Sequence, residues 1–144
     1  GEIIWQKSKG ANANFAWGSW LSASNPVIRD IHEYCLVFSK DSMKNSSGGV
    51  STIEKDEFME STLSIWNINP EKAKKIGHPA PFPVELPKRF INLYSFKDDL
   101  VLDPFIGSGT TAVASKLMQR NYVGYEINKD YIEIANKRLE TETN

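Results

Sequence analysis

A chain of 144 residues, 40% of them hydrophobic, can bury one core and argues for a single soluble domain. Its 17 basic and 18 acidic side chains leave a net charge of −1, which excludes the broad positive excess on which tight phosphate binding rests. No apolar run approaches the roughly 18 to 20 residues of a membrane span, and the one thiol, Cys35, excludes internal disulfides and suits a reducing cytoplasm.

The predicted elements begin with a short strand over residues 3–5 and a loop over residues 8–25 that carries Phe15, Trp17 and Trp20. Residues 32–38 read as the next strand, with His32 and Glu33 structural at its start and Cys35 a core residue between Tyr34 and Leu36. His32, His78 and Cys35 show no ligand spacing, so no metal is expected. Residues 40–51, with Ser46-Ser47-Gly48-Gly49, have no period and are expected to be mobile. A capped turn is expected from Thr52, although Lys55 stands where a capping box needs Glu. A short structured piece over residues 63–68 precedes Pro70, and Trp66 and Phe58 either pack on the domain or face nucleic acid.

The second half carries the clearer pattern. A short helix is expected over residues 86–94, a buried strand over 100–102, and a helix over 110–119 with Val113, Ala114 and Leu117 against the sheet. A strand over 122–127 follows. Asn128 fits the N-cap of a last helix in which Tyr131, Ile134, Ala135 and Arg138, or Ile132, Ala135 and Leu139, share a face, and residues 140–144 should fray.

Between the strand at 100–102 and the helix at 110 lies D-P-F-I-G-S-G-T-T. Gly107 and Gly109 permit a tight turn and close approach of the backbone to a ligand. Asp103 at the strand end can accept hydrogen bonds from that ligand, and Thr110 and Thr111 can cap or line the helix start. Glu126 ends the next strand 19 residues beyond Gly107, a spacing that suits an acid holding ribose hydroxyls in a βαβ unit. The blander reading makes the glycines a bare strand-to-helix turn and Glu126 a surface charge. Phe105 and Phe82, each among prolines, suit aromatic walls around an adenine, or core positions. Gly107, Gly109 and Ala112 also satisfy the dinucleotide pattern G-x-G-x-x-G/A, so spacing alone leaves a nicotinamide cofactor open. An acid and Pro104-Phe105 ahead of the glycines, and H-P-A-P-F-P-V-E-L-P at residues 78–87, shift the balance.

With these motifs the sequence resembles the DNA amino-methyltransferases, which move a methyl group from S-adenosylmethionine to the exocyclic amine of adenine or cytosine. D-P-F-I-G-S-G-T-T is similar to that family's cofactor loop, H-P-A-P-F-P-V-E-L-P to its second cofactor motif, and residues 122–138 to its ribose-binding strand and following helix. The second motif precedes the loop, which is the permuted order of the family's β group. I-I-W-Q-K, W-G-S-W and residues 25–40 resemble the stretch between its catalytic loop and its target-recognition region.

The resemblance implies a Rossmann-like α/β methyltransferase fold with a mixed sheet, helices on both faces, and S-adenosylmethionine as cofactor. It draws Pro104, Ser108 and Pro83 into the cofactor-binding set with Asp103, Phe105, Gly107, Gly109, Thr110, Thr111, Glu126 and Phe82; Pro81 and Pro83 serve shape more than contact. Residues 41–76 take the place of a short target-recognition insertion. Lys7 with Lys9, Lys72 with Lys74 and Lys75, and Lys88 with Arg89 are either solvated faces or phosphate contacts, so weak binding to duplex DNA is expected.

The family's Pro-Pro-aromatic tetrapeptide, which holds the target amine, occurs nowhere in the 144 residues. Asn25-Pro26-Val27, Asn69-Pro70-Glu71 and Asp103-Pro104-Phe105 all lack the double proline. The chain is therefore read as an N-terminally incomplete, C-terminal part of a methyltransferase that binds cofactor without turning over. Two other readings stay open: a noncatalytic assembly module that forms a homodimer or joins a partner chain carrying the missing motif, and a nicotinamide-dependent oxidoreductase.

Overall fold

The computed structural model describes residues 1–7, 20, 21, 26, 28, 30–42, 44, 48–71 and 82–143. Most of the loop expected over residues 8–25 and the start of the second cofactor motif, residues 78–81, lie outside them.

Strand β1, Glu2–Gln6, is the centre of a three-stranded mixed sheet. On one side it pairs antiparallel with β2, His32–Leu36, placing Ile4 opposite Tyr34; on the other it pairs parallel with β3, Ile65–Asn67, placing Trp5 opposite Trp66. Alternation puts Ile3 and Trp5 on one face, and there they meet Trp66, Ile68 and Leu86 in the core. Trp66 has no exposed surface, lies 4.7 Å from the Phe90 ring, and donates its indole N–H to Ser61 O at 3.2 Å. The Trp5 indole donates to Ile68 O at 2.8 Å, so both polar handles are satisfied inside the core. Trp66 thus packs, whereas Phe58 remains half exposed.

Helix α1, Lys55–Ser61, replaces the turn expected at Thr52. Its N-cap is Glu54 without a side-chain cap bond, and Asp56 and Glu57 sit at the electropositive first turn. Thr52 instead donates to Asn92 Oδ1 at 3.2 Å. Helix α2, Glu85–Tyr94, begins just after Pro83 and buries Leu86, Pro87, Ile91 and Asn92. Pro87 is tolerated because the first helical turn needs no intrahelical donor. Arg89 pairs with Glu85 at 3.0 Å and reaches Glu60 at 2.7 Å, tying α2 to α1.

The second sheet is a parallel pair, β4 Leu100–Asp103 and β5 Asn121–Gly124, joined through helix α3, Thr110–Leu117. Helix α3 packs on β5, on α2 and on the last helix α4, Lys129–Glu142. The strand expected to be buried is only half covered: Val101 is partly buried, but Leu100 and Leu102 are 65% and 61% exposed, since no described element covers that side. The expected mixed sheet is present as β2-β1-β3, and the parallel β4-β5 pair forms a second sheet among the described residues, with α2 touching the core of one and the helix of the other.

Several ends differ from the sequence reading for physical reasons. Helix α3 stops at Leu117 because Gln119, at φ 61°, turns left-handed; Gln119 N–H bonds Lys116 O at 3.0 Å and Arg120 N–H bonds Ser115 O at 2.8 Å, a Schellman ending without glycine. Leu117 consequently stays exposed rather than joining the apolar stripe. Strand β5 ends at Gly124, where a Cβ would collide with the Ile106 side chain. Strand β2 ends at Leu36, although Val37 N–H still bonds Gly1 O at 2.9 Å. Asn128 caps α4 as expected, accepting from Asp130 N–H at 2.9 Å, but the helix does not fray at residue 140: Glu142 pairs with Arg138 at 2.8 Å. No helix among the described residues is long and apolar enough to cross a membrane.

Candidate cofactor site

The loop after β4 is shaped by its own polar groups. Gly107 and Gly109 have φ of 51° and 81°, left-handed values that disfavour side chains. Gly109 N–H bonds Ile106 O at 2.9 Å, and Gly109 O receives Val113 N–H at 3.0 Å to start α3. Asp103 bridges strand and helix: Oδ1 accepts from Phe105 N–H at 3.0 Å and Oδ2 from the Thr111 hydroxyl at 2.6 Å. Thr111 therefore lines the acid, while the Thr110 hydroxyl turns to the buried Arg138.

Glu126, just beyond β5, reaches back to this loop. Its Oε2 accepts from Gly107 N–H at 3.0 Å, and its Oε1 from Ile127 and Asn128 N–H at 2.9 and 2.8 Å. Charge-assisted bonds of this kind fix a carboxylate in one orientation. Asp103, Gly107, Ser108, Gly109, Thr110, Thr111 and Glu126 thus belong to one hydrogen-bonded unit. Pro104 and Phe105 form the exposed turn beside it, Phe105 being 87% exposed. Phe82 and the buried Pro83 sit one element away, at the start of α2, which packs on α3.

Gly109 has a second reason to be glycine beside the tight turn. A Cβ there would stand 2.7 Å from Ala135 Cβ and 3.0 Å from its Cα, so the missing side chain admits helix α4. The same face of α4 carries Arg138, whose Nη1 donates to Ser108 O at 3.0 Å and Thr110 Oγ1 at 2.9 Å. Sequence reasoning placed Arg138 on the helix face without its partners. The signal was present: Ala135, Arg138 and Glu142 fall on one side of a helix at spacings of three and four.

Arg120 was also missed. Buried between α3 and β5, it donates to Ser95 O at 2.6 Å, Ser95 Oγ at 3.0 Å, Met118 O and Thr52, joining four segments. Burial lowers its pKa while the charges of Asp99 and Asp98 oppose that shift. A cavity of about 550 Å³ lies elsewhere, lined by Cys35, Val37, Phe38, Phe90 and Tyr94 among others. Burial, with a smaller contribution from Glu33, raises the Cys35 pKa, which disfavours its thiolate.

The profile of the DNA methylase family, named for N6 and N4 methylation, matches residues 1–137. The chain belongs to the DNA amino-methyltransferase family. The type II methyltransferase M.BglI of Bacillus subtilis is 44% identical over 146 residues, covering 96% of this chain and 38% of that protein. M.MthZI of Methanothermobacter thermautotrophicus is 31% identical over 150 residues, covering 95% of this chain and 42% of that protein. The chain thus spans less than half the length of these relatives. Among solved structures, a DNA modification methylase of Thermus thermophilus, TTHA0409, complexed with S-adenosyl-L-methionine superposes with a TM-score of 0.69 at 28% identity, covering 99% of this chain and 53% of that one. The M1.HpyAVI complex with S-adenosylmethionine gives a TM-score of 0.66 at 27% identity, covering 96% and 61%. The α/β methyltransferase fold and membership of the family's β group follow from these matches.

Proposed function

We propose that this chain is the cofactor-holding part of a DNA methyltransferase and binds S-adenosylmethionine on residues 103–111 and Glu126. The observation that carries the reading is the Glu126–Gly107 bond of 3.0 Å, which sets an acid at one strand end against the glycine loop at the other. Such an acid suits ribose hydroxyls, and left-handed glycines leave the backbone bare for a ligand. Phe105, exposed beside the loop, and Phe82 are the walls we assign to the adenine, with Pro104, Ser108 and Pro83 shaping the approach. When bound, the cofactor supplies the transferable methyl group. The chain's own residues orient it; the family's Pro-Pro-aromatic tetrapeptide, which holds the target amine, is not among these 144 residues, so the chain alone is expected to bind without transfer.

Duplex DNA is the substrate this reading implies, and the cytoplasm is the compartment we assign with it. Contact by the described residues is expected to be weak, because Lys7 pairs with Glu33 and Arg89 and Lys88 pair with Glu85. We assign residues 41–76 the role of a short target-recognition insertion; among its described residues Trp66 packs in the core beside β1, and Phe58, Met59 and Leu63 are exposed. The exposed Leu100 and Leu102 support association with a second chain or a second copy. A rise in melting temperature with S-adenosylmethionine and none with NAD is the expected result; a rise with NAD alone contradicts the reading.

A further inference from the structure

We propose that Arg138 is a positioning residue for the cofactor loop, holding its backbone in the ligand-ready shape without touching the ligand. The inference rests on the reading of residues 103–111 as the cofactor site. It comes from the way α4 meets that loop. Ala135 fills the space that Gly109 leaves, fixing how closely helix and loop approach. One turn further, the buried Arg138 guanidinium donates to both the Ser108 carbonyl, at 3.0 Å, and the Thr110 hydroxyl, at 2.9 Å.

These two acceptors flank Gly109. With the Ser108 carbonyl turned toward α4, the N–H of the same planar peptide points the other way, to Ile106 O at 2.9 Å. The orientation of the peptide between the two residues is therefore held from both ends. A loop free to flip that peptide would turn the Ser108 carbonyl to the side that now carries the Gly109 N–H. Glu142 completes the arrangement: its two oxygens accept from Arg138 Nε at 2.8 Å and Nη2 at 3.2 Å, so the planar fork is oriented before it reaches the loop. Lysine keeps the charge but cannot bond Glu142 through two nitrogens and the loop through a third.

The test uses Arg138→Lys, with Glu142→Gln as the milder variant, in two measurements. Calorimetry with S-adenosylhomocysteine, well below the melting temperature, should show dissociation constants raised about tenfold for Arg138→Lys and about threefold for Glu142→Gln. In the ligand-free chain, amide hydrogen exchange at Gly109 should accelerate while exchange at Ile91 in α2 stays the same. A merely structural Arg138 would lower the melting temperature and leave the affinity of the folded chain and the Gly109 amide unchanged; affinity within about twofold of wild type overturns the proposal. If Arg138→Lys fails to fold, the same two readings on Glu142→Gln decide. Failure of the wild-type chain to bind overturns the cofactor reading itself, and the inference with it, an outcome distinct from wild-type binding with unaffected variants.

Discussion

The three-stranded sheet and the βαβ unit after it are stabilised by different means. Around β1 the stabilising groups are large and apolar: Trp5, Trp66, Ile3, Ile68 and Leu86 share one core, and each buried indole N–H has one backbone carbonyl. Around the glycine loop, hydrogen bonds accepted by Asp103 and Glu126 and donated by Arg138 specify the backbone. Packing tolerates small adjustments, whereas a peptide held at both ends has one conformation. The first region therefore sets stability and the second sets the shape offered to a ligand.

The largest expected effect tests the apolar side of that contrast. Trp66→Ala removes the most deeply buried ring and should cost about 3–5 kcal/mol of stability, read by denaturant unfolding. Ligand affinity of the still-folded fraction should match wild type; a parallel loss of affinity would show that the two regions are not separable. Gly109→Val follows. A left-handed φ strained by a β-branched residue, together with the Ala135 clash, should destabilise by about 3 kcal/mol, and it should also remove binding. Undiminished stability in that variant would contradict the close packing of α4 on the loop. The smallest effect is at the helix start: Asn128→Ala loses the bond to Asp130 N–H and should cost about 1 kcal/mol in the melting curve.

The sequence showed much of this, unevenly. Asn128 was legible because a cap residue acts within its own turn, and Glu126 because a strand-to-strand spacing places its acid near the glycines. The family was legible from two motifs in one order. The end of α3 was not, because Gln119 takes the left-handed conformation that glycine usually marks. Nor was the reach of α4 to Glu142, which depends on a partner whose burial is set by the loop. The packing role of Gly109 was hidden for a related reason: a glycine signals that something comes close, and only the packing shows that one neighbour is Ala135. Leu100 and Leu102 read as buried because an apolar run carries no information about how many faces are covered.

The central claim is that Glu126, fixed against Gly107, is the acid of a cofactor site. Its direct test is calorimetry with S-adenosylhomocysteine on the wild-type chain and on Glu126→Gln. Loss of a charged acceptor worth about 1.5–3 kcal/mol should raise the dissociation constant about ten- to a hundredfold. Affinities equal within about twofold would contradict the claim and leave Glu126 as a residue that only ties the loop to the strand end.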